Sequence, residues 1–294
     1  MLKGKVLLIG NGINNIDNSY TWSDLVNDLI AYVGATDHIR AVDKPFPLLY
    51  EEIFAHWVRD RHREELELKE RVAALIAKFQ PNEIHRRIMG LELKNILTTN
   101  YEYTLEMATG LKSKGALTNS GVVRETLYSL FRCIQVEQAR VWHIHGEQRA
   151  AHSIALGYEH YGGYLQRMRD YVVTGTGNSY KRSFDSLEKR LKKGVIGFDS
   201  WIDFFFLQDI NIIGLSLDFV EMHLWWLLTY RARRKYLRRV PIKNQITYFY
   251  PDCLESKIRS RLELLRASDV IVDRVPCKSN DWRSYYHRIL DKIG

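Results

Sequence analysis

The sequence predicts an α/β protein built on a Rossmann-like, doubly wound, mostly parallel sheet, and three observations predict it. Short apolar, β-branched runs recur along the 294 residues. Helical patterns fill the intervals between them. Several runs also stop abruptly at glycine or at a small polar cluster. The runs are Lys5–Ile9 (KVLLI), 94–98 (KNILT), 140–144 (RVWHI), 211–214 (NIIG), 245–250 (QITYFY) and 269–273 (DVIVD). Most are apolar at consecutive rather than alternating positions, which marks strands covered on both faces, as in a parallel sheet. Helices are expected over 20–33, after Asp and Ser residues able to cap it, and over 64–78, rich in Glu, Lys, Ala and Leu, with Pro81 as the next boundary. Two more are expected over 218–238 and 254–265. Strands alternating with helices give the doubly wound arrangement.

Composition narrows the class. Hydrophobic residues make up 46% and charged residues 27%, ordinary values for a soluble globular chain. No apolar run approaches the roughly 20 residues of a membrane span. The N-terminal MLKGKVLLIGNG has the basic start and short apolar run of a signal peptide, but it ends in a Gly-Asn-Gly turn, so a buried first strand is expected. Cys133, Cys253 and Cys277 stand far apart with no CxxC pair, which argues against a disulfide framework and a zinc ribbon and for a reducing cytoplasm. The net charge of +8 is concentrated at 231–239 (RARRKYLRR) and 181–193. Such stretches can bind nucleic acid by counterion release. A solvated helix end complementing the helix dipole is the simpler expectation.

One domain over 1–294 is expected, since no Pro/Gly/Ser linker divides the chain. It carries a helical insertion at about 35–90 and an irregular or helical insertion at about 150–200 with a turn-rich centre (TGTGNS, 174–179).

Chemistry can sit in four places, each at the carboxyl end of an apolar run, the edge where open α/β sheets bind ligands. In LIGNGINN, Gly10, Asn11, Gly12 and Asn14 follow the first strand, and such a turn lets backbone N–H groups approach a phosphate. Asn15 stands where a dinucleotide fingerprint needs its third glycine. In TTNYE, Thr98, Thr99, Asn100 and Glu102 form a polar cluster, and the Asn100 carboxamide can hold a ribose hydroxyl or a water. In WHIHGE, His145 falls at the strand tip beside Gly146 and suits a general base, while His143 lies deeper, as a hydrogen-bonded core histidine. The two histidines could ligate a metal, but no other histidine or carboxylate stands at ligand spacing, and no metal is expected. In IIGLSLDFVEMHLWW, Gly214 ends a strand and Ser216 sits in the turn, with Trp225 and Trp226 expected in the core.

These four motifs, in this order, resemble the sirtuin-like superfamily, and most of all its bacterial defence branch and the AbiH-type abortive-infection proteins. GNGIN at 10–14 is similar to the sirtuin G-A-G-[IV]-S turn, and TTNYE at 98–102 to T-Q-N-[IV]-D. His145–Gly146 is similar to the family's histidine-glycine, and Gly214-Leu215-Ser216 to G-[TS]-S. AbiH-type proteins share an N-G start, an N-Y-T element, H-I-H-G, matched here letter for letter, and a G-x-S-L-x-x-x-D/E stretch. Glu102 stands where sirtuins carry Asp, and the zinc ribbon of the deacylases is missing.

The resemblance implies NAD as substrate and, without a groove for an acyl-lysine peptide, hydrolysis of NAD to nicotinamide and ADP-ribose. It implies phosphate binding by Gly10, Asn11, Gly12 and Asn14, with Thr98, Thr99, Glu102, Gly146, Gly214 and Ser216 around the ribose. Asn100 would position the nicotinamide ribose and water, and His145 would accept a proton. It also implies a toxic effector in antiphage defence, restrained by homo-oligomerisation or a partner protein. The alternatives are a nucleotide-binding sensor without turnover and an ADP-ribosyltransferase.

Overall fold

The computed structural model describes residues 4–16, 20–59, 63–110, 117–177, 179–278 and 281–294. Asn178 of the 174–179 turn, the first three residues, and the Asp17 and Ser19 expected to cap the first helix lie outside them. Seven strands form one sheet: β1 (Lys5–Ile9), β2 (Asn95–Thr98), β3 (Ile134–Val136), β4 (Ala139–His143), β5 (Asp209–Ile213), β6 (Ile246–Pro251) and β7 (Ile271–Val275). Their order is β3-β4-β2-β1-β5-β6-β7. All neighbours are parallel except the β3–β4 hairpin. The chain builds outward from β1 through β2 to β4, then returns to lay β5 against the other side of β1. That reversal is the topological switch point of a doubly wound Rossmann-like sheet, as expected.

Burial on both faces explains the consecutive apolar runs. Val6 and Leu8 face one core with Leu97, Trp142, Ile212 and Tyr248. Leu7 and Ile9 face the other with Ile96, Val141, Ile213 and Phe249. The helices follow the same division. α6 (Tyr158–Arg169), α7 (Leu187–Lys193), α8 (Trp201–Leu207), α9 (Met222–Tyr236) and α10 (Arg259–Ala267) cover the first face. α4 (Glu83–Met89), α5 (Thr104–Met107) and α11 (Trp282–Ile293) cover the second. A third core joins α1 (Trp22–Tyr32), α2 (Phe46–Arg59) and α3 (Glu65–Ile76) with Tyr101, Ile154 and Leu156 from the sheet's carboxyl edge.

Several local expectations shift. α1 is capped by Thr21, which forms a reciprocal capping box with Asp24. α10 begins at Arg259 rather than 254, behind the short 3₁₀ turn Asp252–Leu254. β7 lies two residues later than expected, because Asp269 takes a positive φ of 60° before it. β3 was not expected: three residues are too few to show a period, and it closes on β4 through Glu137 at φ 50°. Trp225 and Trp226 are only partly buried against the first core.

The basic stretch 231–239 is less free than its composition implies. Arg231 is fully buried, donating to Asp269 Oδ2 at 2.7 Å, Phe205 O at 2.8 Å and Asn244 O at 2.6 Å. It is an internal strut between α9, α8 and the segment entering β6, neither a dipole-complementing surface cation nor a phosphate contact. Lys235 also holds Asp269, and Arg234 reaches Glu188 at 3.3 Å. Removing the guanidinium takes a donor from two buried carbonyls and leaves Asp269 with Lys235 as its remaining cation, so Arg231→Met is expected to destabilise the fold by about 2 kcal/mol or more. Urea unfolding checks this, and a loss below about 1 kcal/mol would contradict the strut.

Candidate functional site

The carboxyl ends of β1, β2, β4 and β5 open into a cavity of about 790 Å³. The opposite wall comes from the α1–α3 cluster: Tyr20, Thr21, Trp22 and Leu25, then Lys44 to Pro47, then Ile76 and Phe79. Helices α2 and α3 from the 35–90 interval therefore help roof the switch point. The start of α1 (Thr21, Trp22), of α2 (Phe46, Pro47) and of α9 (Glu221) all line the cavity. Three helix N-termini at one cavity turn their positive dipole ends to it, a field suited to an anionic ligand.

The β1 turn works differently from its sequence expectation. Gly10 N–H donates to Ile213 O at 3.0 Å and Gly12 N–H to Gly214 O at 2.8 Å. Both amides are engaged within the protein and are not offered to a phosphate. A Cβ on Gly10 would lie 2.5 Å from Gly214 O and from Leu215 Cα, and one on Gly12 2.5 Å from Tyr286 Oη. These glycines let the β1 and β5 turns pack together. Asn11, Gly12 and Asn15 reach the cavity, while Gly10 and Asn14 do not line it. Asn14 is buried, its amide nitrogen donating to Asn11 Oδ1 and to Glu102 Oε1, both at 2.8 Å.

In the β2 turn, Thr99, Asn100 and Glu102 line the cavity. Thr98 does not; its hydroxyl donates to Ile9 O at 3.2 Å and accepts from Asn100 N–H at 3.0 Å, shaping the turn. Glu102 is held through Oε1 by Asn14 and by Thr104 at 3.1 Å. Burial raises its carboxyl above the usual range, against the opposing pull of the Asn14 hydrogen bond. The Asn100 main chain is fixed from below. His143 Nδ1 meets Asn100 O at 2.7 Å, and His143 Nε2 meets Glu106 Oε1 at 2.8 Å, all fully buried. A carbonyl and a carboxylate on its two nitrogens call for N–H on both, an imidazolium paired with Glu106. Burial works against that charge, but Glu106 and the Asn100 carbonyl outweigh it and hold His143 above its ordinary value. His143 is the hydrogen-bonded core histidine expected.

Past β4, His145 lines the cavity, and Gly146 behind it does not. Gly146 sits at φ +95°, where an added Cβ would lie 2.1 Å from Ser153 O, so only glycine turns the chain there. Gly214, at φ +61°, and exposed Ser216 both line the cavity, with Ser216 O accepting from Arg261 Nη1 at 2.7 Å.

The fold adds two residues the sequence expectation lacked. His145 Nε2 lies 2.9 Å from His223 Nε2 and 3.3 Å from Glu221 Oε2, with Tyr161 edge-on to the His145 ring. Along the chain His145 has no such neighbour, and 78 positions separate the two histidines. Glu221 occupies the acidic position of the G-x-S-L-x-x-x-D/E stretch, a signal that could have found it. His223, second residue of α9, carries no motif of its own. Burial pushes His145 down to about 3 and His223 well below its ordinary range, the second also through the first. Burial, then the Asp218 charge, pushes Glu221 up to about 8. The two imidazoles are thus both neutral and share one hydrogen bond, Nε2 to Nε2, beside a protonated acid.

Residues 94–192 match the model of a SIR2-like domain. That span runs from β2 through α7, roughly a third of the chain. It contains the Asn100 and His145 turns but neither glycine turn. SIR2-like chemistry is NAD-related, and the cavity lies where a nucleotide binds in a Rossmann-like sheet. No curated protein matches the chain. Among the described residues no helix is long and apolar enough to cross a membrane.

The His143–Glu106 pair makes a pH prediction. A histidine whose folded pKa exceeds its unfolded value near 6.5 contributes stability fully below that value and loses it as pH rises through the raised one. Unfolding free energy is therefore expected to fall on the alkaline side of neutrality in the wild type. The double variant His143→Gln, Glu106→Gln is expected to lack that fall, and parallel pH curves for the two proteins would refute the pairing.

Proposed function

We propose that the chain hydrolyses NAD at the bond between nicotinamide and ribose. The observation that carries this reading is the convergence of Asn100, Glu102, His145 and the Gly214–Ser216 turn on one cavity at the switch point. The three helix N-termini facing that cavity suit the negative charge of a dinucleotide. The neighbouring SIR2-like match supports the substrate class.

Asn100, its main chain held by His143, presents a carboxamide to orient the ribose and a water. His145 takes the proton of that water as its oxygen bonds to the ribose carbon. The carbon–nitrogen bond breaks with its electron pair going to nicotinamide, which leaves neutral. NAD and water thus give nicotinamide, ADP-ribose and one proton. His223, hydrogen-bonded to His145, is a positioning residue, as is Glu106 through His143. Depletion of NAD by a toxic effector in antiphage defence extends the proposal, on the strength of the H-I-H-G and G-x-S-L-x-x-x-D/E resemblance.

A positioned base contributes on the order of 10²–10⁴ in rate. His145→Ala and Asn100→Ala are therefore expected to lower NAD loss at least a hundredfold with unchanged thermal unfolding. Chromatography of nicotinamide and ADP-ribose decides the matter. Wild-type turnover in either variant sinks the assignment, label on a macromolecule in place of free ADP-ribose points to transfer, and NAD binding with no turnover by the wild type points to a sensor.

A further inference from the structure

We propose that His145, His223 and Glu221 form a site for one divalent first-row cation of the zinc class, and that its occupation switches the cavity off. Their three donor atoms are separated by 2.9, 3.3 and 4.0 Å. In the plane of the three atoms, the point equidistant from them lies about 2.0 Å from each, the length of zinc bonds to imidazole nitrogen and carboxylate oxygen. Two imidazoles and one carboxylate are a donor set for such ions, whereas magnesium and calcium prefer oxygen.

The protein-only arrangement leaves the cluster under-bonded. Among the described residues, Glu221 Oε2, one of the three donors, is a buried atom without a hydrogen-bond partner. Buried polar atoms are seldom left so, and an ion is one of the things that accounts for them. The ligands are also well held. His145 lies two residues past β4 and is pinned by the Gly146 turn, while Glu221 caps α9 and His223 lies in its first turn. His145 and Glu221 line the cavity, so a three-ligand ion would keep its open position toward it. A cation here takes the Nε2 lone pair of His145. The inhibitory consequence rests on the assignment of His145 as the base; the cation site does not.

The test uses the full chain without NAD. Titration with Co2+, followed by visible absorption and displaced with Zn2+, is expected to show one ion per chain. Glu221→Gln and His223→Gln, close in shape and checked for folding by circular dichroism, are expected to weaken binding by at least about tenfold. His38→Gln, at an exposed histidine, is expected to leave it unchanged. No stoichiometric binding, or binding that survives both substitutions in the cluster, overturns the site. In turnover assays, excess Zn2+ is expected to suppress nicotinamide release and a chelator to restore it, and release that increases with Zn2+ overturns the inhibitory role. A chain that never releases nicotinamide refutes the hydrolase proposal, while the Co2+ titration still decides the cation site.

Discussion

At the carboxyl ends of β1 and β5 two turns pass so closely that neither has room for a side chain at the crossing. Gly10 and Gly12 give their amides to Ile213 and Gly214, and an added methyl on either glycine would overlap the opposite turn or Tyr286. Everything that makes the cavity depends on this contact. It closes the sheet's two halves at the switch point, sets the Gly214–Ser216 turn beside Asn11, and starts α9 where its first residues meet His145. In a sheet buried on both faces, strand ends are the place left for polar chemistry. The glycines build that edge by packing rather than by donating to a ligand.

The two histidines of the WHIHGE segment divide the work by environment. His143 has a carboxylate and a carbonyl for partners and is held charged, which locks the Asn100 turn. His145, two residues on, has another imidazole for its partner and is held neutral. One residue type thus supplies a charged and a neutral imidazole within three residues of chain. The difference comes from what lies opposite each ring, a charged partner raising the pKa and desolvation lowering it.

The α1–α3 cluster gives the cavity its second wall and much of its apolar character. Trp22, Phe46 and Phe79 face the polar strand ends across it, so a ligand there is gripped by surfaces of opposite kind. Apolar walls with a few placed polar groups are the usual make-up of a small-molecule site. They also lower the local dielectric, which strengthens each polar contact made within the cavity.

The sequence by itself determined six of the seven strands, the two-sided burial of the sheet and the turns that meet at its edge, because these follow from local periodicity and from glycine at strand ends. It also marked His143 as a core histidine from its place deeper in the strand than His145. Tertiary structure alone decided which polar groups meet. Glu221 and His223 reach His145 only because β5 returns beside β1, and no local pattern records a contact across 78 positions. Arg231, one letter in a basic run, became a buried strut because Asp269, Phe205 and Asn244 close around it. The same limit applies to the first glycine turn, whose amides are engaged by a strand two hundred residues away in the chain. Periodicity is a property of neighbours in sequence, whereas the partner of a buried charge or amide is chosen by packing.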